Sequence, residues 1–361
     1  MQMKFSKSWS AFILLKIIYT FVALYVYIKF STLGDTFDYL QGNYFYPEKM
    51  LLHSTYMIGT VAHFISSAVG DVATNLSFCF LSILGLRYAL NTMNLNLREL
   101  QFVLLILSFP TFGIWTSIAS KEAVSVLFMG LIFGNVYHYS VHKKVKSVPM
   151  LMLGLYLCML FKPLYMIPIF AIGLFLVIGK KLRAKALGWS IILVTFFIIS
   201  AALIYFSIDF LNDIISYLPL HFSSEAKSTR ENIFWLRDYD ILNSAPLGVF
   251  LAITGPTFTE ALEKTTHFIS LIESYILMSV YGTMLFYIFI RDFVKAKINV
   301  YYIGFLCAGL IWLLLVNYPF GVLNPGSALR YRSNYSMYSL LLILAVYKRF
   351  GAVKAIKIGD Y

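Results

Sequence analysis

The positive charges of this chain lie between its apolar segments, and they concentrate at every second junction. Of its 361 residues, 60% are hydrophobic and only 13% are charged, whereas a soluble domain has roughly 25% charged residues. Apolar runs such as 187–208 and 268–290 reach the roughly 20 residues that are needed to cross a bilayer. The sequence therefore predicts an all-α polytopic membrane protein.

The charge distribution predicts how the spans are oriented. We place about ten spans near 9–30, 72–90, 100–117, 122–140, 148–161, 164–179, 187–208, 268–290, 300–318 and 334–348. The termini and every second junction between spans form one set, which holds 18 of the 29 basic residues and only 3 of the 17 acidic residues. Basic loops stay in the cytoplasm, so both termini are predicted to be cytoplasmic. The net charge of +12 follows these loops and forms no single patch, so we expect no nucleic-acid partner.

The segment 148–178 is ambiguous, because it fits either one long helix or two short ones. One helix would place the basic cluster 180–185 outside the cell, whereas a hairpin keeps the cluster inside. Pro163 disfavours a helical conformation at Lys162. We therefore predict two short helices that turn at Lys162–Pro163.

Residues 1–361 are predicted to form a single integral membrane domain with two prominent outer loops. The first outer loop, 31–71, contains an amphipathic segment near 53–69 that is long enough to lie along the membrane surface. The second, 209–267, is a large outer loop. Outward chemistry is expected there, since loops commonly carry specificity.

Six ionisable residues occur at or just inside the predicted outer ends of different spans. They are Asp35, Lys121, Glu122, Lys162, Glu273 and Arg330. Ionisable groups at such depth are costly and usually face a polar cavity, so we predict one shared outward cavity with carboxylates and cations. Each residue alone also fits a plain structural role: Asp35 fits a helix N-cap, and Glu122 fits a helix N-terminus. Lys16, inside the first span, has no explanation from the sequence alone.

Short motifs on this outward side carry a resemblance to a known group of proteins. The motifs are Gly34-Asp35 followed by Tyr39, then Pro110…Trp115-Thr116-Ser117…Lys121-Glu122, then Lys162-Pro163, and finally Asn324-Pro325-Gly326…Arg330-Tyr331-Arg332. Together they resemble bacterial polytopic proteins of surface-polysaccharide assembly. That group includes O-antigen polymerases and GT-C type lipid-dependent glycosyltransferases. The resemblance implies a GT-C-like architecture in the bacterial inner membrane.

The resemblance also implies a reaction. A sugar or oligosaccharide on undecaprenyl diphosphate would be attacked by an acceptor hydroxyl outside the membrane. Asp35 would be the general base, with Glu122 as a second catalytic carboxylate. The residues expected to bind substrate are Asp38, Tyr39, Lys121, Lys162, Arg237, Glu260, Glu273, Asn324, Arg330 and Arg332. Cations among them would stabilise the charge that develops on the departing diphosphate.

The expected partners are a lipid-linked oligosaccharide, membrane lipid and polysaccharide-assembly proteins such as a chain-length regulator. GT-C enzymes often carry two adjacent acidic residues in the first loop, whereas Asp35 is followed by Thr36. We therefore expect no cofactor or metal ligand set and leave divalent-metal dependence open.

Polymerisation of repeat units is the first functional reading. Addition of single sugars from a polyprenyl-phosphate donor is an alternative, and transport of a polysaccharide or lipid-linked sugar is a second. A non-catalytic assembly subunit also fits the composition.

Overall fold

The structure, a computed structural model, describes residues 7–181, 186–223, 230–294 and 300–348. Those residues form helices and connecting segments with no β-strand. Six helical segments are long and apolar enough to cross a membrane: Lys7–Lys29, Asp71–Leu90, Lys121–His142, Leu187–Phe206, Thr265–Asp292 and Val300–Pro319. The predicted all-α class and these six predicted spans are therefore confirmed as candidate membrane helices.

The chain divides into two compact units. Unit 1 consists of 1–166 and 333–361, and unit 2 consists of 167–332. The helices found mainly in unit 1 are α1 (Lys7–Tyr25), α2 (Thr36–Gln41), α3 (Ser54–Val69), α4 (Asp71–Leu90), α5 (Leu97–Ile106), α6 (Pro110–Trp115), α7 (Lys121–His142) and α8 (Val148–Phe161). Those found mainly in unit 2 are α9 (Met166–Lys181), α10 (Ala186–Phe206), α11 (Ile208–Ser223), α12 (Asp240–Asn243), α13 (Ala245–Thr254), α14 (Phe258–Glu263), α15 (Thr265–Val294) and α16 (Val300–Val322). Helix α17 (Pro325–Tyr347) begins in unit 2 and ends in unit 1.

Helices α4 and α7 lie side by side and run in the same direction. Near their starts, the backbone N–H of Ala119 donates to Asn75 Oδ1 at 2.8 Å. Near their ends, Asn135 Nδ2 donates to the Tyr88 hydroxyl at 3.1 Å. Between these contacts, a Cβ atom added to Gly130 would lie 2.1 Å from the Gly85 carbonyl oxygen. The two backbones therefore touch directly, as small residues allow in membrane helix pairs.

Basic side chains gather at one end of unit 1, which we call the basic end. Lys348, after α17, forms an ion pair of 2.6 Å with Glu99 in the first turn of α5. Lys146, between α7 and α8, lies 4.5 Å from the centre of the Tyr88 ring near the end of α4. The opposite end of unit 1, which we call the acidic end, contains the starts of α4 and α7. The predicted grouping of basic loops is thus present within unit 1.

The predicted break between two short helices at Lys162–Pro163 is confirmed. Helix α8 ends at Phe161, a short 3₁₀ turn covers Pro163–Tyr165, and α9 begins at Met166. Helix α8 runs antiparallel to α7, since Ser147 N–H donates to Asn135 Oδ1 at 2.9 Å and Gly154 packs against Ile132. The end of α8 therefore returns toward the acidic end.

Two sequence-based boundaries differ from the structure. The predicted continuous span 100–117 is wrong, because α5 and α6 are separate short helices. The last helix begins at Pro325, nine residues before the predicted start of 334. The described residues of the predicted large outer loop 209–267 include four helices, α11 to α14. The amphipathic segment predicted near 53–69 is helical and forms α3.

Unit 2 has its own apolar core beside α13 and α16. Trp235, Leu251, Tyr318 and Val322 are buried together there. Helix α10, in contrast, exposes apolar side chains along its length, including Ile198, which is 64% exposed. Water-soluble proteins rarely expose such a continuous apolar surface, so we interpret α10 as a lipid-facing helix.

Candidate functional site

The chain is not helical between α6 and α7, and we call this stretch, Thr116–Ser120, the break segment. Pro110 starts α6, which ends after only six residues at Trp115. Every residue of the break segment is buried, with Thr116, Ser117, Ile118 and Ala119 fully inaccessible. Non-helical backbone within a membrane protein is tolerated only where other groups satisfy it or where it lines a cavity. The partners of this backbone therefore define how the site is held.

Helix α1 binds the first two residues of the break segment. Lys16 Nζ donates to the Thr116 carbonyl at 2.7 Å and also contacts the Thr116 hydroxyl. One turn further along α1, the Thr20 hydroxyl donates to the Ser117 carbonyl at 2.8 Å. Two carbonyls that the end of α6 leaves without helical partners are thereby satisfied.

The last two residues of the break segment are held by other parts of unit 1. The Thr36 hydroxyl of the first outer loop contacts the Ala119 carbonyl at 3.2 Å. The Ser120 side chain is the N-cap of α7, because its hydroxyl accepts from Ala123 N–H at 3.1 Å. The predicted Pro110-to-Glu122 motif is therefore a short helix and the start of a second helix, joined by an irregular turn that α1, α4 and the first outer loop hold in place.

Asp35 lies beside this segment. Gly34, which precedes it, has a φ of +59°, a conformation that residues with a Cβ rarely adopt. Asp35 occupies the N-cap position of α2 but makes no side-chain capping bond. Its carboxylate instead accepts from the Tyr39 hydroxyl at 3.1 Å. Because Thr36 contacts Ala119, the structure brings the Asp35 segment next to the start of α7.

Lys121 and Glu122 open α7 at the same place. Glu122 is fully buried in the first turn of the helix, where the helix dipole favours a negative charge. Lys121 Nζ donates to the Thr55 hydroxyl at the start of α3, at 2.8 Å. Lys162, half-buried, is the C-cap residue of α8, the helix whose end returns toward the acidic end. The predicted residues of unit 1 therefore occupy one region of it.

Two further predicted residues lie in α2. The Asp38 carboxylate accepts from Asn43 Nδ2 at 2.6 Å. Tyr39 is buried, and its ring centre lies 5.7 Å from that of Tyr44. Both residues shape the first outer loop around Asp35.

In unit 2, Arg332 and Glu273 form a buried ion pair. Arg332 Nη2 donates to Glu273 Oε1 at 2.9 Å, with side-chain exposures of 5% and 4%. The other terminal nitrogen of Arg332 donates to the Ile253 carbonyl at 2.7 Å and to the Ser274 hydroxyl at 2.5 Å. These contacts connect α13, α15 and α17, so both side chains have structural partners within unit 2.

Glu260 is bound by an arginine that we did not predict as a site residue. Arg230 holds the Glu260 carboxylate in a two-point contact, with distances of 2.6 and 2.7 Å. Arg230 also donates to the carbonyls of Gly255 and Val322, at 2.7 and 2.8 Å. Burial alone would raise the pKa of Glu260, but the hydrogen bonds from Arg230 and from Thr257 N–H outweigh burial and lower it. The Arg-Glu-Asn stretch at 230–232 was the sequence signal for this contact.

This pair predicts a pH dependence of unit 2. Since the folded-state pKa of Glu260 lies below its ordinary 4.5, its stabilisation is complete above about pH 4.5 and is lost as the pH falls through the folded-state pKa. We expect thermal unfolding of the purified protein between pH 7 and pH 3 to show this loss. Glu260→Gln should flatten the acid limb, whereas Glu231→Gln, on an exposed side chain, should retain it. Equal acid limbs for wild type and Glu260→Gln would contradict the assignment.

The remaining predicted residues of unit 2 have different surroundings. Arg237 is exposed, and its backbone N–H donates with that of Leu236 to the Asp240 carboxylate, which lowers the pKa of Asp240. Asn324 caps α17, because its Oδ1 accepts from Ser327 N–H at 2.9 Å. Arg330 is half-buried on the second turn of α17.

No metal-binding cluster occurs in the part of the chain that the structure describes, where no three His, Cys, Asp or Glu side chains lie close enough to hold an ion. What unit 1 does assemble is a carboxylate in a first outer loop, a buried carboxylate and neighbouring lysines. Such a set can accept a proton and bind an anionic group.

Comparison of this chain with protein-family models, with curated proteins and with solved structures finds no match.

Proposed function

We propose that this chain transfers glycosyl units from a polyprenyl-linked donor during assembly of a bacterial surface polysaccharide. Polymerisation of undecaprenyl-diphosphate-linked repeat units on the outer face of the inner membrane is the form that we favour. In this proposal the basic end of unit 1 faces the cytoplasm. The ten crossings are α1, α4, α5–α6 as one interrupted crossing, α7 to α10, and α15 to α17, which leaves both termini in the cytoplasm.

The observation that carries the proposal is the contact between Thr36 and Ala119 at 3.2 Å. Through this contact, Asp35 and the Lys121–Glu122 pair come from distant parts of the sequence to one end of unit 1. Asp35 makes no helix-capping bond, and its carboxylate accepts from the Tyr39 hydroxyl at 3.1 Å.

In the proposed reaction, the acceptor hydroxyl gives its proton to Asp35 as its oxygen attacks the anomeric carbon of the donor. The bond between that carbon and the diphosphate oxygen breaks, and negative charge grows on the departing lipid diphosphate. Lys121 and Lys162 supply positive charge for it at the acidic end.

Transport of a lipid-linked sugar is a second candidate, because one observation favours it. Transporters commonly use interrupted helices whose half-helix ends contact the substrate, and α5 and α6 form such an interruption within one crossing. A transporter moves its substrate without making a new glycosidic bond, so the products of the two candidates differ.

Glycan profiling tests the proposal. We expect cells that lack this protein to lose the long-chain polysaccharide ladder on a gel and to retain a single repeat unit. Wild type should restore the ladder. Asp35→Asn, present in the membrane at the same level, should reduce it at least about 100-fold, in the range for loss of a general base. Asp38→Asn, one turn away, is the matched control and should retain more product.

Each contrary result has a defined meaning. Long chains that lack one sugar would assign the protein to single-sugar transfer instead of polymerisation. Full rescue by Asp35→Asn would exclude Asp35 as the base. Accumulation of unflipped lipid-linked units on the cytoplasmic face would favour the transporter.

A further inference from the structure

Lys16 is a charged side chain at the centre of an apolar helix. It lies midway along α1 and is only 2% exposed. A lysine at this depth is costly unless its ammonium is satisfied. Its Nζ donates to the Thr116 carbonyl at 2.7 Å and lies 5.6 Å from the centre of the Phe112 ring. All of these partners lie in α6 or at its end.

The end of α6 is a place where a cation is favoured. A helix leaves its last carbonyls without intrahelical partners, and its dipole is negative there. Helix α1 binds the two carbonyls that directly follow the last residue of α6. Lys16 Nζ donates to the Thr116 carbonyl, and the Thr20 hydroxyl, one turn further along α1, donates to the Ser117 carbonyl at 2.8 Å.

We propose that Lys16 is a positioning residue for the candidate site in unit 1. Its ammonium fixes where α6 stops, and the break segment then fixes where α7 starts. Lys121 and Glu122 follow the break segment directly, so their placement against the Asp35 loop depends on this contact. The activity part of this inference rests on the proposed function, whereas the structural part does not.

The size of the expected effect follows from geometry. The break segment is bound by side chains from α1, from α4 and from the first outer loop. Removing the ammonium leaves the Thr116 carbonyl buried without that donor, and the segment must shift or open to reach another. A displacement of about 1 Å at reacting groups costs about 100-fold in rate. Lys16 thus affects the reaction without contacting substrate.

The experiment uses hydrogen–deuterium exchange of the full-length protein in detergent, together with the glycan ladder. The variant is Lys16→Met, which is similar in length and uncharged, and the control is Lys29→Met, on an exposed lysine of the same apolar segment. We expect Lys16→Met to exchange about 10-fold faster or more at the amides of Thr116, Ser117 and Ala119, since local opening sets their rate. Peptides from unit 2 should be unchanged, and the ladder should fall about 100-fold.

Lys16→Arg separates positioning from simple loss of packing. A guanidinium restores the cation and the donor, so exchange and product should both recover in part. Unchanged exchange in Lys16→Met would overturn the inference. Where the glycan ladder depends on the wild-type protein, unchanged product in Lys16→Met would also overturn it, and so would failure of Lys16→Arg to improve on Lys16→Met.

If Lys16→Met does not reach the membrane, the Thr20→Val variant tests the inference in its place. This variant removes only the hydrogen bond to Ser117 and keeps the shape of the side chain. We expect a smaller acceleration at the same amides, about 3-fold to 10-fold, and unchanged exchange would overturn the inference. Faster exchange in the purified variants, combined with cellular glycans that do not depend on the protein, would support the contact and overturn the proposed function.

Discussion

Replacing Glu273 by glutamine is expected to destabilise unit 2 by about 3 kcal/mol or more. Glu273 and Arg332 are 4% and 5% exposed, and 2.9 Å separates their charged groups. Glutamine keeps the shape and one acceptor but removes the negative charge. The guanidinium is then left buried without a counterion, which costs more than the pair itself contributes.

The free energy of unfolding, measured with denaturant in detergent, checks this expectation. Glu263→Gln, on the exposed face of α14, is the matched control and should change stability by less than about 0.5 kcal/mol. Arg332→Met combined with Glu273→Leu should cost less than the sum of the single variants, because no buried charge remains. A Glu273→Gln variant as stable as its control would contradict a structural role for the pair.

The general organisation of this chain is readable from its sequence because the membrane imposes simple rules. Apolar length sets the candidate spans, and the sign of loop charge groups their ends. The hairpin at Lys162–Pro163 followed from both rules, since proline broke the helix and the basic cluster at 180–185 fixed the direction. Helices α8 and α9 confirm that break.

The errors arise where tertiary contacts override the apolar pattern. Residues 100–117 are mostly apolar and contain no charge, so hydropathy alone indicates one span. The turn at Thr116–Ser120 is held because Lys16, Thr20, Thr36 and Asn75 supply distant partners. The sequence around this turn does not indicate which distant residues contact it.

The candidate site shows the same division. We predicted that Asp35, Lys121 and Glu122 lie together at one end of the helices, and the structure brings their segments together in unit 1. Which charges bind each other was not predictable. Arg332 with Glu273 and Arg230 with Glu260 are separated by 59 and 30 positions in the chain. Lys16 was visible as an anomaly, but its role required the position of Thr116.

Gly130→Ala is expected to disrupt the pairing of α4 with α7 and to cost about 3 kcal/mol or more. A Cβ at this position would lie 2.1 Å from the Gly85 carbonyl oxygen and 2.4 Å from its carbonyl carbon. Both atoms belong to a helix backbone, so neither can move away as a flexible side chain would. The helices must separate, and the side-chain contacts on either side of the crossing are lost with them.

Gly282→Ala is the matched control, because an added Cβ there meets no atom within 4 Å. In α15 this change should be neutral or stabilising by up to about 1 kcal/mol, since alanine favours a helix more than glycine does. Thermal unfolding of both variants in detergent separates the two cases. The crossing also bears on the site, because α7 carries Lys121 and Glu122 nine and eight residues before Gly130. If Gly130→Ala unfolded with the same stability as Gly282→Ala, α4 and α7 would not pack in direct backbone contact, and the placement of Lys121 and Glu122 derived from that packing would be wrong.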